Sequence, residues 1–337
     1  MLLAPRANTQ FEPAPNTLHE FQHGEAALLK STCTSSPSVV GILSPGVMGT
    51  ALAEVLLAGG CDVITTLNGR SPRTAELCER SGIAIRTCIT DVIDDADVVI
   101  SAVTPRAALP LAKQVGKSAA NRGRPLTYID VNSVSPRTVE QIAEEFRGLS
   151  VRFVDAAIHG IAGRLKTQGT IFASGPTADV VDRFFGSEVR VQILGKDLGR
   201  ASLMKMMLGG MSKGIIGLFL QSSLLAQNAK MTDEFCAALG HYYPDVLSFV
   251  ERSLPTYPQH AGRRAQEMRE FADTLELTGL PPQIAIELSK LFSALDNSEL
   301  ASVCQNEPKP LKLKQLVDVI SATRFSARSN QSDTYLV

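Results

Sequence analysis

The chain has 337 residues, a formal net charge of −1, 44% hydrophobic and 20% charged residues. That balance suits a globular protein large enough for two cores, and it offers no excess charge to attract nucleic acid or an anionic membrane. Trp is absent and aromatics are only 5%, so stacking on single-stranded nucleic acid is not expected either.

The six cysteines, Cys33, Cys61, Cys78, Cys88, Cys236 and Cys304, form no CxxC pair and no Cys/His cluster. No metal site and no disulfide framework is expected, and a reducing, cytoplasmic setting is the simpler reading. The opening MLLAP lacks the apolar core of a signal peptide. The most apolar stretch, 206–220, is too short for a bilayer and carries Lys213, so no membrane span is expected.

Residues 1–37 are rich in Pro, Asn, Thr and Ser without periodicity, which reads as a flexible extension. At Ser38 the texture changes. SVVGIL predicts a strand, a glycine-rich turn follows, and TALAEVLLAGG predicts a helix closed by two glycines. CDVITTL is a second strand, NGRSPR a loop, TAELCERSG a helix, AIRTCI a short strand and DVIDDA a short helix. DVVISAV, LTYIDVN and VRFVDAAI are strands, separated by the helices RAALPLAKQVGKSA and PRTVEQIAEEFRG. TIFASG, the helix ADVVDRFFG and VRVQIL complete the pattern near residue 195. Such alternation predicts a doubly wound, mostly parallel α/β sheet of the Rossmann type over 38–198.

From Gly199 the pattern turns helical. Residues 201–227 are apolar on nearly every face, which predicts a long buried helix. Further helices are expected to break at Tyr243-Pro244, Leu254-Pro255, Tyr257-Pro258 and Pro281-Pro282. An all-α domain is therefore expected over 199–296. A C-terminal segment over 297–337 should hold one helix near 311–323 and then a polar tail.

The first turn reads Gly41-Ile-Leu-Ser44-Pro45-Gly46-Val47-Met48-Gly49 between a predicted strand and a predicted helix. This is the context in which a glycine-rich turn offers free amides to a pyrophosphate. Gly46 allows close backbone approach and Gly49 close helix–strand packing, while Ser44 occupies the first glycine slot of GxGxxG. The residues of the turn from Ser44 to Gly49 are all candidates to hold a dinucleotide.

At the end of the second strand the acid that would grip a ribose is replaced by Asn68, with Gly69, Arg70, Ser71, Pro72 and Arg73 after it. Arg70 and Arg73 can pair with a 2′-phosphate, and Asn68 and Ser71 can hydrogen-bond it. The expected cofactor is therefore NADP(H). SAVTP at 101–105 and DVNSVSP at 130–136 place small polar residues at the carboxyl edge of the sheet, where ligands of open α/β sheets bind. Val103, Thr104, Asn132 and Ser133 are candidates for the ribose and nicotinamide. Ser135, just before Pro136, reads equally well as a helix N-cap.

GILSPGVMG, VVISAVTP, YIDVNSVSP, FVDAAIHG and the Lys205 helix, in this order, resemble the β-hydroxyacid dehydrogenase and 6-phosphogluconate dehydrogenase superfamily. GILSPGVMG and SLMKMMLGGMSKG resemble a branch whose phosphogluconate-dehydrogenase-like C-terminal domain has no assigned function. The likeness spans about 38–295 and implies an NADP-dependent oxidoreductase, homodimeric through its helical domain. The superfamily also includes imine reductases.

The family's G-x-G-x-x-x-K motif falls on Gly199 to Lys205, with Ala201 for the second glycine, which implies a general acid/base role for Lys205. The family asparagine four residues later is Gly209. The substrate-loop pattern falls on Asp155 to Ile161, with His159 in place of its serine and Ile161 in place of its last glycine.

The chemistry is consistent with that resemblance. Hydride transfer to a carbonyl needs a proton on the heteroatom, and a lysine in an apolar helix has the lowered pKa that suits the task. Lys205, Gly209 and Lys213 share one helix face, leaving a gap over Gly209 in which a substrate can sit. His159 is a further candidate acid/base, and Tyr242, Tyr243, Tyr257 and His260 can line the cleft. The expected activity is reduction or oxidation of a small carbonyl or hydroxy compound. The alternatives are imine reduction and non-catalytic NADP sensing, and the partners are a small-molecule substrate and a second copy of the chain.

Overall fold

The computed structural model describes residues 38–296 and 313–322. The 1–37 extension and the polar tail lie outside them.

Eight strands form one sheet in the order β3-β2-β1-β4-β5-β6-β7-β8. They are β1 (Val39–Leu43), β2 (Asp62–Thr66), β3 (Ala84–Arg86), β4 (Val98–Ser101), β5 (Leu126–Asp130), β6 (Val151–His159), β7 (Thr170–Ser174) and β8 (Arg190–Ile193). All neighbours pair parallel except β6 and β7, which are antiparallel. The central strands β1, β4 and β5 are almost entirely buried, as expected when helices cover both faces of a parallel sheet. The chain reverses direction across the sheet between β1 and β4, and the open end of that switch point is where a ligand crevice forms.

The helices that cover the sheet are α1 (Val47–Ala58), α2 (Pro72–Ser81), α3 (Ile89–Asp95), α4 (Pro105–Ala119), α5 (Pro136–Glu144), α6 (Leu165–Gln168) and α7 (Asp179–Phe185). Capping chemistry sets several of their starts. Ser71 and Ser135 each accept a hydrogen bond from the amide three residues on and are followed by Pro, which is the favoured N-terminal arrangement. Ser135 is thus a cap, as one of its two sequence readings required, and Ser71 caps α2.

The long helix α8 (Arg200–Asn228) has 29 residues, within one residue at each end of the 201–227 helix expected. By length and composition alone it would cross a bilayer. Here it packs against β6 and β7 at its start and against the remaining helices further on. Those helices are α9 (Thr232–Tyr242), α10 (Pro244–Ser253), α11 (Ala261–Leu277), α12 (Gln283–Asp296) and α13 (Leu313–Ala322). The breaks at Pro244 and before α12 fall where the prolines required them.

Leu316, Val317 and Ile320 of α13 are buried in one cluster with Ile216, Leu220, Met268 and Phe292. The expected boundary at 296 is therefore corrected: α13 completes the helical core rather than belonging to a separate segment, because its apolar face covers α8.

The two layers meet at a buried carboxylate. Asp155 on β6 accepts hydrogen bonds from the amides of Ala201 (3.1 Å) and Ser202 (3.2 Å), from Ser202 Oγ (2.6 Å) and from Ser174 Oγ (2.9 Å). It satisfies the unpaired amides at the start of α8 and complements the helix dipole. It thereby sets where the helix begins relative to the sheet edge.

Candidate active site

The glycine-rich turn keeps the conformation of its motif although a glycine is missing. Ser44 has φ +68°, one of two non-glycine residues with positive φ among those described. Such backbone costs of order 1 kcal/mol for a residue with a side chain. The turn then enters α1 at Gly46, where no side chain caps the helix, so the first-turn amides stay available. A Cβ on Gly46 would meet nothing within 4 Å, while one on Gly49 would press on Ser44 O at 3.2 Å and Ile42 Cγ2 at 3.3 Å. The two glycines therefore do different work: Gly46 leaves open space in front of the amides, and Gly49 permits helix–strand contact. Pro45 is buried and has no amide hydrogen, Val47 is exposed, and Met48 packs against the sheet core, so amides at this turn come from Gly46, Val47 and Met48.

A cleft of about 300 Å³ opens beside this turn, lined by Ser44, Arg70, Val103, Thr104 and the first turns of α4. Asn68, Arg70, Ser71 and Arg73 are all exposed. Neither arginine makes an ion pair among the described residues. Thr104 precedes α4 without capping it, which leaves its hydroxyl free. Ser133 is partly exposed beside it in the β5–α5 loop.

Asn132 requires a correction. It is 3% exposed. Its Oδ1 accepts from the Val103 amide (2.6 Å), and its Nδ2 donates to Ser101 Oγ (2.8 Å) and Asp130 Oδ2 (2.8 Å). With that capacity used, its side chain braces the ends of β4 and β5 and holds the 103–104 loop, rather than facing the cleft.

A second pocket of about 600 Å³ shares Thr104 with the first and continues past Pro105 and Arg106 to α11. There Arg263, Gln266, Glu267, Arg269 and Glu270 form the far wall. Lys205, Lys213 and His159, chosen from the sequence, come together near this wall. Burial lowers the pKa of Lys205 to about 8; Arg263 and Lys213 add to the effect, while Glu267 and Asp130 oppose it. Burial, then the charges of Lys205 and Lys213, also hold His159 below its ordinary value.

Lys213 is not the free group that the helix face suggested. Its Nζ lies 2.8 Å from Glu267 Oε2 and 3.3 Å from the Gly209 carbonyl, and a Cβ on Gly209 would meet that Nζ at 3.1 Å. The gap over Gly209 is filled by the Lys213 ammonium, not left for a substrate. Gly210 and Gly217 mark close helix packing, against Phe271 and Leu288.

Tyr257 is 4% exposed and stacks under Arg264, and Tyr242 and Tyr243 are exposed at 72% and 62% outside both pockets. None of the three lines the cleft. His260 lines neither pocket.

Three groups at the site escaped the sequence reading. Glu267 and Arg263 lie on α11, far along the chain, and a Glu among many in an amphipathic helix carries no local signal. Asp130 is 1% exposed at the end of β5. Burial raises its pKa to about 7 against the hydrogen bonds of Asn132; Asp155 adds to the rise and Lys205 opposes it. Its place at a strand end beside Asn132 was the available clue.

Comparison with known proteins agrees with this geometry. Residues 39–183 match the NAD binding domain of 6-phosphogluconate dehydrogenase, and 226–295 match a domain of unknown function, DUF1932. An uncharacterised 28.5 kDa protein of Methanothermus fervidus is 30% identical over 255 residues, 74% of this chain and 96% of that protein. The chain belongs to the 6-phosphogluconate dehydrogenase-like family, in its DUF1932 branch.

A conserved protein described as structurally similar to 3-hydroxyacid dehydrogenases superposes with a TM-score of 0.60 at 29% identity, covering 80% of this chain and all of that one. The 3-hydroxyisobutyrate dehydrogenase of Mycobacterium tuberculosis superposes at 0.66 with 13% identity, over 86% and 99% of the two chains. Imine reductases and reductive aminases share the fold at 0.51 to 0.54. The matched N-terminal region is an NAD-binding domain, and the likeness to hydroxyacid dehydrogenases and imine reductases, at 13–18% identity, is one of fold.

Because the Gly46 position is open, Gly46→Ala should leave the melting temperature unchanged and weaken dinucleotide binding about tenfold, which is about 1.4 kcal/mol. Thermal melts beside nucleotide titration calorimetry check both halves.

Proposed function

We propose that the protein is an NADP(H)-dependent oxidoreductase acting on a small carbonyl or hydroxy compound, with Lys205 as the proton donor and acceptor. One observation carries this reading. The groove beside the glycine-rich turn runs through Thr104 into a pocket whose far wall lies within electrostatic reach of Lys205, a lysine with no ion pair or hydrogen bond among the described residues.

The fit to a dinucleotide is supported by the open space at Gly46 and the uncapped start of α1. Preference for NADP is supported by Arg70 on the groove wall and Arg73 in the first turn of α2, with no acid from Thr66 to Arg73. Guanidinium groups suit a 2′-phosphate, which a carboxylate there would repel. In the Arg70→Ala/Arg73→Ala double variant, NADPH binding should fall about 10- to 100-fold while NADH binding stays the same. Equal losses for both nucleotides would overturn the preference.

When bound, the dinucleotide supplies or accepts hydride at the carbon of the substrate. Hydride addition to a carbonyl leaves an alkoxide that needs a proton, and the Lys205 ammonium supplies it; in the reverse direction the neutral amine accepts it. A pKa of about 8 keeps both forms accessible near neutrality. His159, held neutral there, can hydrogen-bond the same oxygen. A protonated imine needs no added proton after hydride addition, so an unpaired ammonium favours C=O over C=N chemistry.

Turnover in the reductive direction should fall above pH 8, where Lys205 loses its proton, and oxidation should rise through the same range. Lys205→Ala should cost about 10²- to 10⁴-fold in kcat and leave nucleotide binding unchanged. A carbonyl panel followed by NADPH absorbance checks this. Nucleotide binding with no turnover on any panel member would instead favour the sensing role.

The partner we propose is a second copy of the chain, seated along α8. Met207, Met211, Leu218 and Leu225 are 45%, 68%, 67% and 69% exposed. With Gly214 and Gln221 they follow the alternating four- and three-residue steps of a helix–helix seam. Gly214 meets nothing within 4 Å, so a symmetry-related helix can approach closely. Sedimentation should give a dimer that Met211→Glu/Leu218→Glu converts to monomer; a monomeric wild type would overturn it.

A further inference from the structure

We infer that Glu267 is a positioning residue of the active site: it binds Lys213 across the α8–α11 interface and so leaves Lys205 as the unpaired lysine beside the pocket wall. The inference rests on the reading of Lys205 as the proton donor, and it assigns a role to a helix for which the family model gives none.

By helical spacing alone, two lysines eight residues apart on one face are equivalent. The structure makes them unequal. Glu267 Oε2 is 2.8 Å from Lys213 Nζ, and its Oε1 is 3.6 Å from Arg263 Nε. The side chains of Lys213 and Glu267 are 11% and 27% exposed, so solvent screens this pair far less than a surface one.

Gly209 completes the arrangement. Its missing side chain lets Lys213 fold back over the helix and donate to the Gly209 carbonyl at 3.3 Å. Where the family pattern has an asparagine, this chain has a glycine, which leaves the Lys213 ammonium its place against the helix. Lys205 has no such partner. Its charged neighbours are Glu267 and Arg263 from α11, Lys213 from α8, Asp130 from β5 and His159 from β6.

Glu267 then acts on Lys205 in two ways. It holds the Lys213 ammonium back against Gly209, out of the pocket. It also opposes the cations around Lys205 more strongly than Asp130 does. Burial pushes the Glu267 carboxyl up, but Lys213, Arg263 and Lys205 together outweigh it and hold it below its ordinary value, so Glu267 stays ionised and the clamp stays charged.

The test reads Lys205 directly and needs no substrate. Full-length protein is acetylated briefly with an N-hydroxysuccinimide ester at a series of pH values, and modification of Lys205 is quantified by peptide mass spectrometry. In wild type the midpoint of reactivity should lie near pH 8. Glu267→Gln should move it down by about one unit, and Glu267→Asp should restore most of the shift. Lys213→Met, which removes a like charge, should move it up.

A midpoint that stays put in Glu267→Gln overturns the inference. If that variant does not fold, an unmoved midpoint in Lys213→Met overturns it instead. Failure of the catalytic reading looks different: the midpoints shift as described, but Lys205→Ala keeps its turnover.

Discussion

Everything at the site is referred to the position of one helix, and that position depends on the buried carboxylate of Asp155. A helix start leaves amides unpaired, and inside a protein each would cost about 1 to 3 kcal/mol unless met. Asp155 meets those of Ala201 and Ser202 and ties them to Ser174 on the neighbouring strand. β6 pairs parallel with β5 on one side and antiparallel with β7 on the other. The helix start is thus pinned at the edge where the sheet changes sense. Lys205, just over one turn into the helix, is carried by this anchor to the end of the strands that hold the nucleotide-binding loops. Ala201, in a motif slot that the family pattern gives to glycine, is fully buried with Ala157 and Phe172, so its methyl group seats the same turn against the sheet.

The carboxyl ends of the strands form a second braced layer. Asn132 joins the Val103 amide, Ser101 and Asp130, so the loops after β4 and β5 are tied to each other. A side chain that looks like a ligand contact from sequence is instead the strut that holds Thr104 at the cleft. Asp130 lies beside Asp155 in register, and only Asp155 has a helix start to neutralise. The remaining carboxyl, buried and lightly partnered, titrates near 7 and faces the lysine whose own pKa has come down to meet it.

Period and punctuation made the sheet legible in the sequence. β-branched runs, glycine stops and proline starts report local backbone preferences, and these survive folding in such a regular layer. The cofactor turn was legible for the same reason, since its chemistry is local: Ser44 adopts the glycine-like φ that its slot demands. The catalytic side was legible only in part. Helical spacing correctly placed Lys205, Gly209 and Lys213 on one face, but spacing within α8 carries no information about α11. The partner that separates the two lysines was therefore invisible, and so was the filling of the gap over Gly209. The covering role of α13 was missed likewise, because its apolar face has meaning only against α8.

The departures from the family pattern are best understood as a set. Replacing an asparagine with Gly209 would ordinarily remove a polar group from the site. Here it admits the Lys213 ammonium, which in turn needs an anion, and Glu267 on α11 supplies it. The substrate loop also changes, with His159 at the end of β6 held below its ordinary pKa by partial desolvation and then by the two lysines. At Gly209 a smaller residue makes room for the long charged chain of Lys213, and at the end of β6 a titratable imidazole stands where the family pattern has a serine. The Lys205 ammonium, the His159 imidazole and the Arg263 guanidinium thus share one electrostatic cluster beside the pocket wall of α11.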